Sequence, residues 1–166
     1  MTKEKHSAGG GHGQAWAQKR KAARLAAVQA IYQLEITGIQ PDMVVVEFLQ
    51  HRLQDEVDGF KLGEVDRELF AELVRGVHAE RQDLDDMIAA VLAEGWEVER
   101  LERLLRIILE AGAFELAYRQ KVPARSVISE YVAIADSFFN GKEPGMVNGM
   151  LDRLGRDLRT EEFEAR

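Results

Sequence analysis

Apolar positions recur at helical spacing along most of the chain, and short glycine-, proline- or polar-rich breaks divide them. Residues 14–36 read as one helix rich in Ala, Leu, Gln and Lys, ended by Gly38, with Pro41 opening the next. That second helix runs from Pro41 to about Gln54 and carries Met43, Val46, Phe48, Leu49 and Leu53. The stretch Asp55 to Gly63 holds Asp58-Gly59 and predicts a loop. Val65, Leu69, Leu73 and Val77 predict a third helix, widened by Phe70 and Val74, and Leu84, Met87, Ile88, Val91 and Leu92 a fourth, ending near Gly95. Val98, Leu101, Leu104, Leu105, Ile108 and Leu109 continue at a period of about 3.6 through Leu116, until Pro123 breaks the pattern. Val127, Ile128, Tyr131, Ile134, Ala135 and Phe138 make a sixth face, stopped by Asn140-Gly141. Pro144 suits a first turn, and Met146, Val147, Met150, Leu151, Leu154 and Leu158 complete the last helix. The expectation is an all-α domain of about seven helices over residues 14–159, without a convincing strand. Residues 1–13 are polar and glycine-rich and read as a disordered tail, and residues 160–166 as an acidic one. The apolar segments share no common period, which excludes a solenoid.

Composition narrows the setting. The chain of 166 residues has no cysteine, which excludes a disulfide scaffold, cysteine-ligated zinc and thiol catalysis. No run of about eighteen apolar residues is present, so no membrane span is predicted, and Met1 to Gly13 lacks the apolar stretch of a secretory signal. A cytoplasmic location is the expectation. The net charge of −7 is unevenly spread: residues 1–30 carry +5 and the remainder −12. A basic head on an acidic body points to a local contact with a polyanion.

Enzyme chemistry finds little support. His6, His12, His51 and His78 are not spaced as metal ligands, and no nucleophile, zinc-protease, P-loop or dinucleotide motif is present. Gly9-Gly10-Gly11-His12-Gly13 follows no strand and reads as a linker. Asp83, Asp85 and Asp86 lack the glycine and distal glutamate of a calcium loop and suit the start of a helix. No cofactor is implied.

The basic cluster is different. Lys19, Arg20, Lys21 and Arg24 fall in the first turns of the opening helix. At about 100° per residue, Arg20, Lys21 and Arg24 share a half-circle with Val28, Ile31 and Tyr32. One face cannot be apolar and cationic at the same depth, so the helix is expected to overhang, with its beginning clear of the core. Cations near a helix amino terminus also oppose the macrodipole, an unfavourable term that phosphate reverses. Such helices bind RNA through backbone charge, with aromatic rings stacking exposed bases. A second candidate patch is Phe138-Phe139-Asn140-Gly141-Lys142 with Asn148. The adjacent rings diverge by about 100°, so either one faces the core and the other the rim as a stacking platform, or, as is more common, both cover the end of the bundle.

Arg20-Lys21-Ala22-Ala23-Arg24 followed by Ala27-Val28-Gln29-Ala30-Ile31-Tyr32 resembles the opening of the antitermination factor NusB family. So do Leu73-Val74-Arg75-Gly76-Val77, Gly112-Ala113-Phe114-Glu115-Leu116, Val122-Pro123, Ser129-Glu130-Tyr131 and Val147-Asn148-Gly149-Met150-Leu151-Asp152. These pieces, in order, cover about residues 18–159. The resemblance implies two packed helical subdomains. It also implies binding of single-stranded boxA RNA in ribosomal RNA leader transcripts, with the ribosomal protein that acts as NusE as partner. The pair would then help RNA polymerase resist termination. By the resemblance, Arg20, Lys21 and Arg24, with neighbouring Lys19, are the RNA-contacting motif, Gln29 and Tyr32 lie beside it, and Phe138, Lys142 and Asn148 belong to a second RNA-facing edge.

The sequence departs from the family at several positions. Ala22 stands where some members carry arginine, Ser129 where Asn is frequent, Glu110 where a basic residue is common, and Met146 where an aromatic is common. Long RNA-methyltransferase chains also carry this domain, but 166 residues leave no room for their catalytic part, so enzyme activity is not expected. The competing reading is a non-catalytic helical protein-interaction adaptor whose basic head is incidental.

Overall fold

The computed structural model describes residues 10–52, 56–57, 60–61 and 65–164. Helix α1 spans Gly10–Thr37, 28 residues, and so begins inside the stretch expected to be a tail. Adding residues to an existing helix costs far less than nucleating one, and Gln14 to Ala17 are good helix formers. Residues 1–9 lie outside the described residues. Gly38 closes α1 in the left-handed region, at φ +72°, its N–H donating to the Leu34 carbonyl.

Helix α2, Pro41–Glu47, has its proline in the first turn and passes into a π-helical turn at Phe48–Arg52 instead of continuing to Gln54. Leu53 and Gln54 lie outside the described residues. The predicted loop contains a minimal antiparallel pair, β1 (Glu56–Val57) with β2 (Phe60–Lys61), too short to leave a period in the sequence. Asp66 caps α3, Arg67–Ala79, by accepting from the Leu69 N–H at 3.0 Å, while its own N–H donates to the Lys19 carbonyl of α1. Helix α4, Arg81–Val91, ends in a connection that turns at Gly95, φ +88°.

The fifth predicted helix is two elements. Val98–Arg100 form a 3₁₀ turn and α5 starts only at Arg103, with Leu101 extended between them. The Glu102 carboxylate takes the Leu105 N–H at 3.0 Å, a cap that competes with continuation of the helix. Helices α6 (Ala124–Phe138) and α7 (Glu143–Leu158) follow, and Thr160–Glu164 forms a short α8 where an acidic tail was expected.

Helix α5 is the spine. It contacts α1, α3, α4, α6 and α7, and every residue from Ile107 to Leu116 is buried. The expected all-α architecture of two packed helical groups forms around it. A Cβ on Gly76 would overlap the Phe114 ring, and one on Gly112 would come within 2.7 Å of Leu151, so glycine sets the α3–α5 and α5–α7 spacing. Arg159, between α7 and α8, sends its buried guanidinium to the carbonyls of Glu115, Leu116, Arg119 and Val122. It thereby gives the Leu116 carbonyl a donor and adds a second one at Glu115 and Arg119, whose carbonyls already accept from the Arg119 and Val122 N–H groups.

Candidate nucleic-acid interface

Helix α1 supplies the first edge. Residues 13–19 are exposed all round, Trp16 and Lys19 among them, and the core takes hold of the helix only at Ala22 and Ala23. The overhang predicted from the sequence therefore exists, and it carries Lys19. Arg20 is half-buried and Lys21 exposed. At about 100° per residue, Lys21, Leu25, Gln29, Tyr32 and Ile36 share one face. Along it Gln29 is half-buried and Tyr32 exposed. Lys21, Gln29 and Tyr32 thus stand on a continuous stripe.

Arg24 does not belong to that edge. It is 3% exposed, and its guanidinium grips Glu115 of α5 with two hydrogen bonds, Nε to Oε2 at 2.8 Å and Nη2 to Oε1 at 2.9 Å. The Tyr131 hydroxyl of α6 donates to the same carboxylate at 2.5 Å. Burial opposes the arginine's charge, but the Glu115 hydrogen bonds and charge outweigh it and hold Arg24 protonated. Burial, reinforced by the Glu115 carboxylate, pushes the Tyr131 phenol well above its ordinary range, so it stays a neutral donor. The expectation that Arg24 contacts RNA is corrected by this geometry. Its place on α1 lies between Ala23 and Ala27, which are buried, and it ties α1 to α5 and α6.

The second predicted edge divides. Phe138 is 38% exposed at the end of α6, while Phe139, where the backbone leaves the helix and extends, packs against the core. Lys142, just ahead of α7, places its Nζ over the Trp96 ring, 5.3 Å from the centroid. Asn148 lines a separate open groove between α6 and α7, with Arg125, Ile128, Ser129, Val132, Asp152 and Arg156. Sequence reasoning passed over both tryptophans and over Arg125 and Arg156, whose guanidinium groups each lie over the Phe163 ring, 5.7 and 4.9 Å from its centroid. Among the described residues, no group of three or more acidic or histidine side chains is placed to hold a metal ion. No described helix is long and apolar enough to cross a membrane.

The family model for NusB matches residues 21–156. This chain belongs to the NusB family. Among its relatives, the transcription antitermination protein NusB of Caulobacter vibrioides is 50% identical over 142 residues, covering 86% of this chain and 95% of the relative. The NusB of Rhodopseudomonas palustris is 43% identical over 151 residues, covering 91% and 89%. Among solved structures, NusB of T. maritima superposes with a TM-score of 0.70 at 25% identity, covering 87% of this chain and 96% of that one. A NusB crystallised with NusE and double-stranded RNA shares the fold, with a TM-score of 0.69 at 21% identity, covering 84% and 98%. The NusB match includes Lys21, Gln29, Tyr32, Phe138, Lys142 and Asn148, and begins after Lys19 and Arg20.

Proposed function

We propose that this chain is an RNA-binding transcription antitermination factor. In this reading it recognises boxA-type single-stranded RNA of ribosomal RNA leader transcripts together with a NusE partner, and so helps RNA polymerase resist termination. Family membership supports the role, and the crystallisation of another NusB with NusE and double-stranded RNA supports the choice of partners. The observation that carries the assignment to a surface is the α1 overhang. Lys19 and Lys21 stand in solvent on a protein of net charge −7, and Lys21 is in line with Gln29 and Tyr32. Arg20, half-buried, is the third cation of this edge, and Phe138, Lys142 and Asn148 are the candidate contacts beyond it.

With Arg24 withdrawn into the core, three head cations are left to meet phosphate. For single strands that gives a log–log salt slope of about −2. The experiment is fluorescence anisotropy of a labelled boxA-type RNA against a scrambled control, with and without NusE, at several salt concentrations. Tighter binding to boxA, strengthened by NusE and showing that slope, supports the reading. Equal weak binding to both RNAs, or a slope near zero, overturns it. The exposed apolar side chains Ile36, Met43 and Val46 favour the second reading, a protein-interaction adaptor. On that reading, replacing Lys19, Arg20 and Lys21 with Ala leaves partner affinity and function intact.

A further inference from the structure

The chain has two tryptophans, and the fold buries neither: Trp16 is 54% exposed and Trp96 48%. Each has a lysine ammonium over its ring, Lys19 at 5.5 Å and Lys142 at 5.3 Å from the centroid. Trp96 is the better fixed. It follows Gly95 in the connection from α4 to α5, and its N–H donates to the Ala93 carbonyl at 3.1 Å. Lys142 approaches from the connection between α6 and α7, and α4 packs directly on α7, so two separate segments define the pair.

A large flat ring half in solvent leaves part of its aromatic face unused by the fold and open to a partner. With a cation alongside, its chemistry suits a flat aromatic group on an anionic tether, which is a nucleobase on a phosphodiester chain. The surroundings set how it would act. Glu94, Glu97 and Glu99 flank the indole in sequence, with Glu97 paired to Arg100 at 3.4 Å. This is no phosphate cradle, so the indole contributes by stacking and Lys142 supplies a single charge beside it.

We propose that Trp96 stacks an unpaired base of single-stranded RNA, with Lys142 beside the adjacent phosphate. The inference rests on the RNA-binding reading and adds a station to it, at the connection where Phe138 and Lys142 lie. The chain's tryptophan content makes the test direct. In full-length Trp16→Phe protein, Trp96 is the sole indole, and its emission is followed during titration with an unlabelled boxA-type oligoribonucleotide. Anisotropy of the labelled RNA, with NusE present, is measured in parallel.

The expected result is quenching of Trp96 emission that saturates with the anisotropy change. Trp96→Ala should weaken binding by about five- to a hundredfold and Trp96→Phe by much less. The Ala effect should be the same at low and high salt, unlike that of Lys19→Ala. An anisotropy rise with no change in Trp96 emission and unaltered affinity in Trp96→Ala overturns the stacking role while leaving the RNA reading intact. Quenching by NusE alone, with Trp96→Ala weakening only the protein complex, assigns the indole to a protein contact and equally overturns it. No anisotropy rise for any RNA removes both readings. Unchanged thermal unfolding of the variants shows that the fold is intact.

Discussion

Arg24 and Glu115 each bring a full charge into the core, a burial tolerated because the two carboxylate oxygens meet the Arg24 Nε and Nη2 and the Tyr131 hydroxyl adds a third hydrogen bond. Removing one partner strands the other. Arg24→Ala is expected to lower stability by about 3–5 kcal/mol in urea unfolding, and at temperatures where the variant is folded its RNA affinity should match the parent. A second buried carboxylate behaves differently. Glu110 of α5 accepts from Arg106 at 2.9 Å and lies 3.5 Å from Arg81, yet burial, with Asp85 of α4 adding, pushes it up to about 9. Glu35 of α1 meets Arg81, Arg103 and Arg106 at the same junction. Because the folded state holds this proton more tightly than the unfolded one, the contribution of Glu110 to stability is greatest below about pH 4.5. It falls as pH rises towards 9. Glu110→Gln keeps an acceptor for Arg106 and offers an N–H towards Asp85, whose Oδ1 is buried without a partner. It should therefore stabilise the protein by about 1–3 kcal/mol at pH 8 and have little effect near pH 4.5, measured by urea unfolding at the two values.

At the scale of elements, spacing between helices is set by what is missing. Gly76→Ala drives a methyl into the Phe114 ring and is expected to cost about 1–3 kcal/mol, read as a lowered Tm with unchanged helical content. Most helices were legible because their apolar faces repeat, and the stops at Gly38 and Asn140-Gly141 are where side-chain chemistry predicts them, whereas α5 ends at Tyr118 and Pro123 instead caps the start of α6. The break before α5 was not legible. Val98 and Leu101 sit in phase with the helix that follows, and only the Glu102 cap interrupts the backbone. Arg24 was misplaced for a related reason: its partner is 91 residues away, and angle alone cannot separate a rim from a core interior. A signal was present. Glu115 sits inside a largely apolar run from Leu104 to Tyr118, and a carboxylate buried there needs a charged or hydrogen-bonding partner. The α1 edge was readable because Lys19 and Lys21 carry their meaning in sequence alone; Trp96 was not, because only the packing of α4 on α7 brings it to Lys142.

The molecule as a whole repels what its head attracts. A body of net negative charge should slow the approach of RNA from most directions, leaving capture to the α1 overhang. Lys19→Ala together with Lys21→Ala should reduce the magnitude of the salt slope by about 1.4 and lower the association rate more than it raises the dissociation rate, by stopped-flow fluorescence. Tertiary order has a direction in time as well. The guanidinium that closes the end of α5 belongs to Arg159, 43 residues beyond the Leu116 carbonyl it satisfies. During synthesis the spine is therefore made well before the group that terminates it, and a nascent chain ending within α7 holds its central helix open at one end. Translation of this protein thus places the commitment to a finished fold late, after nearly all of its core side chains have already left the ribosome.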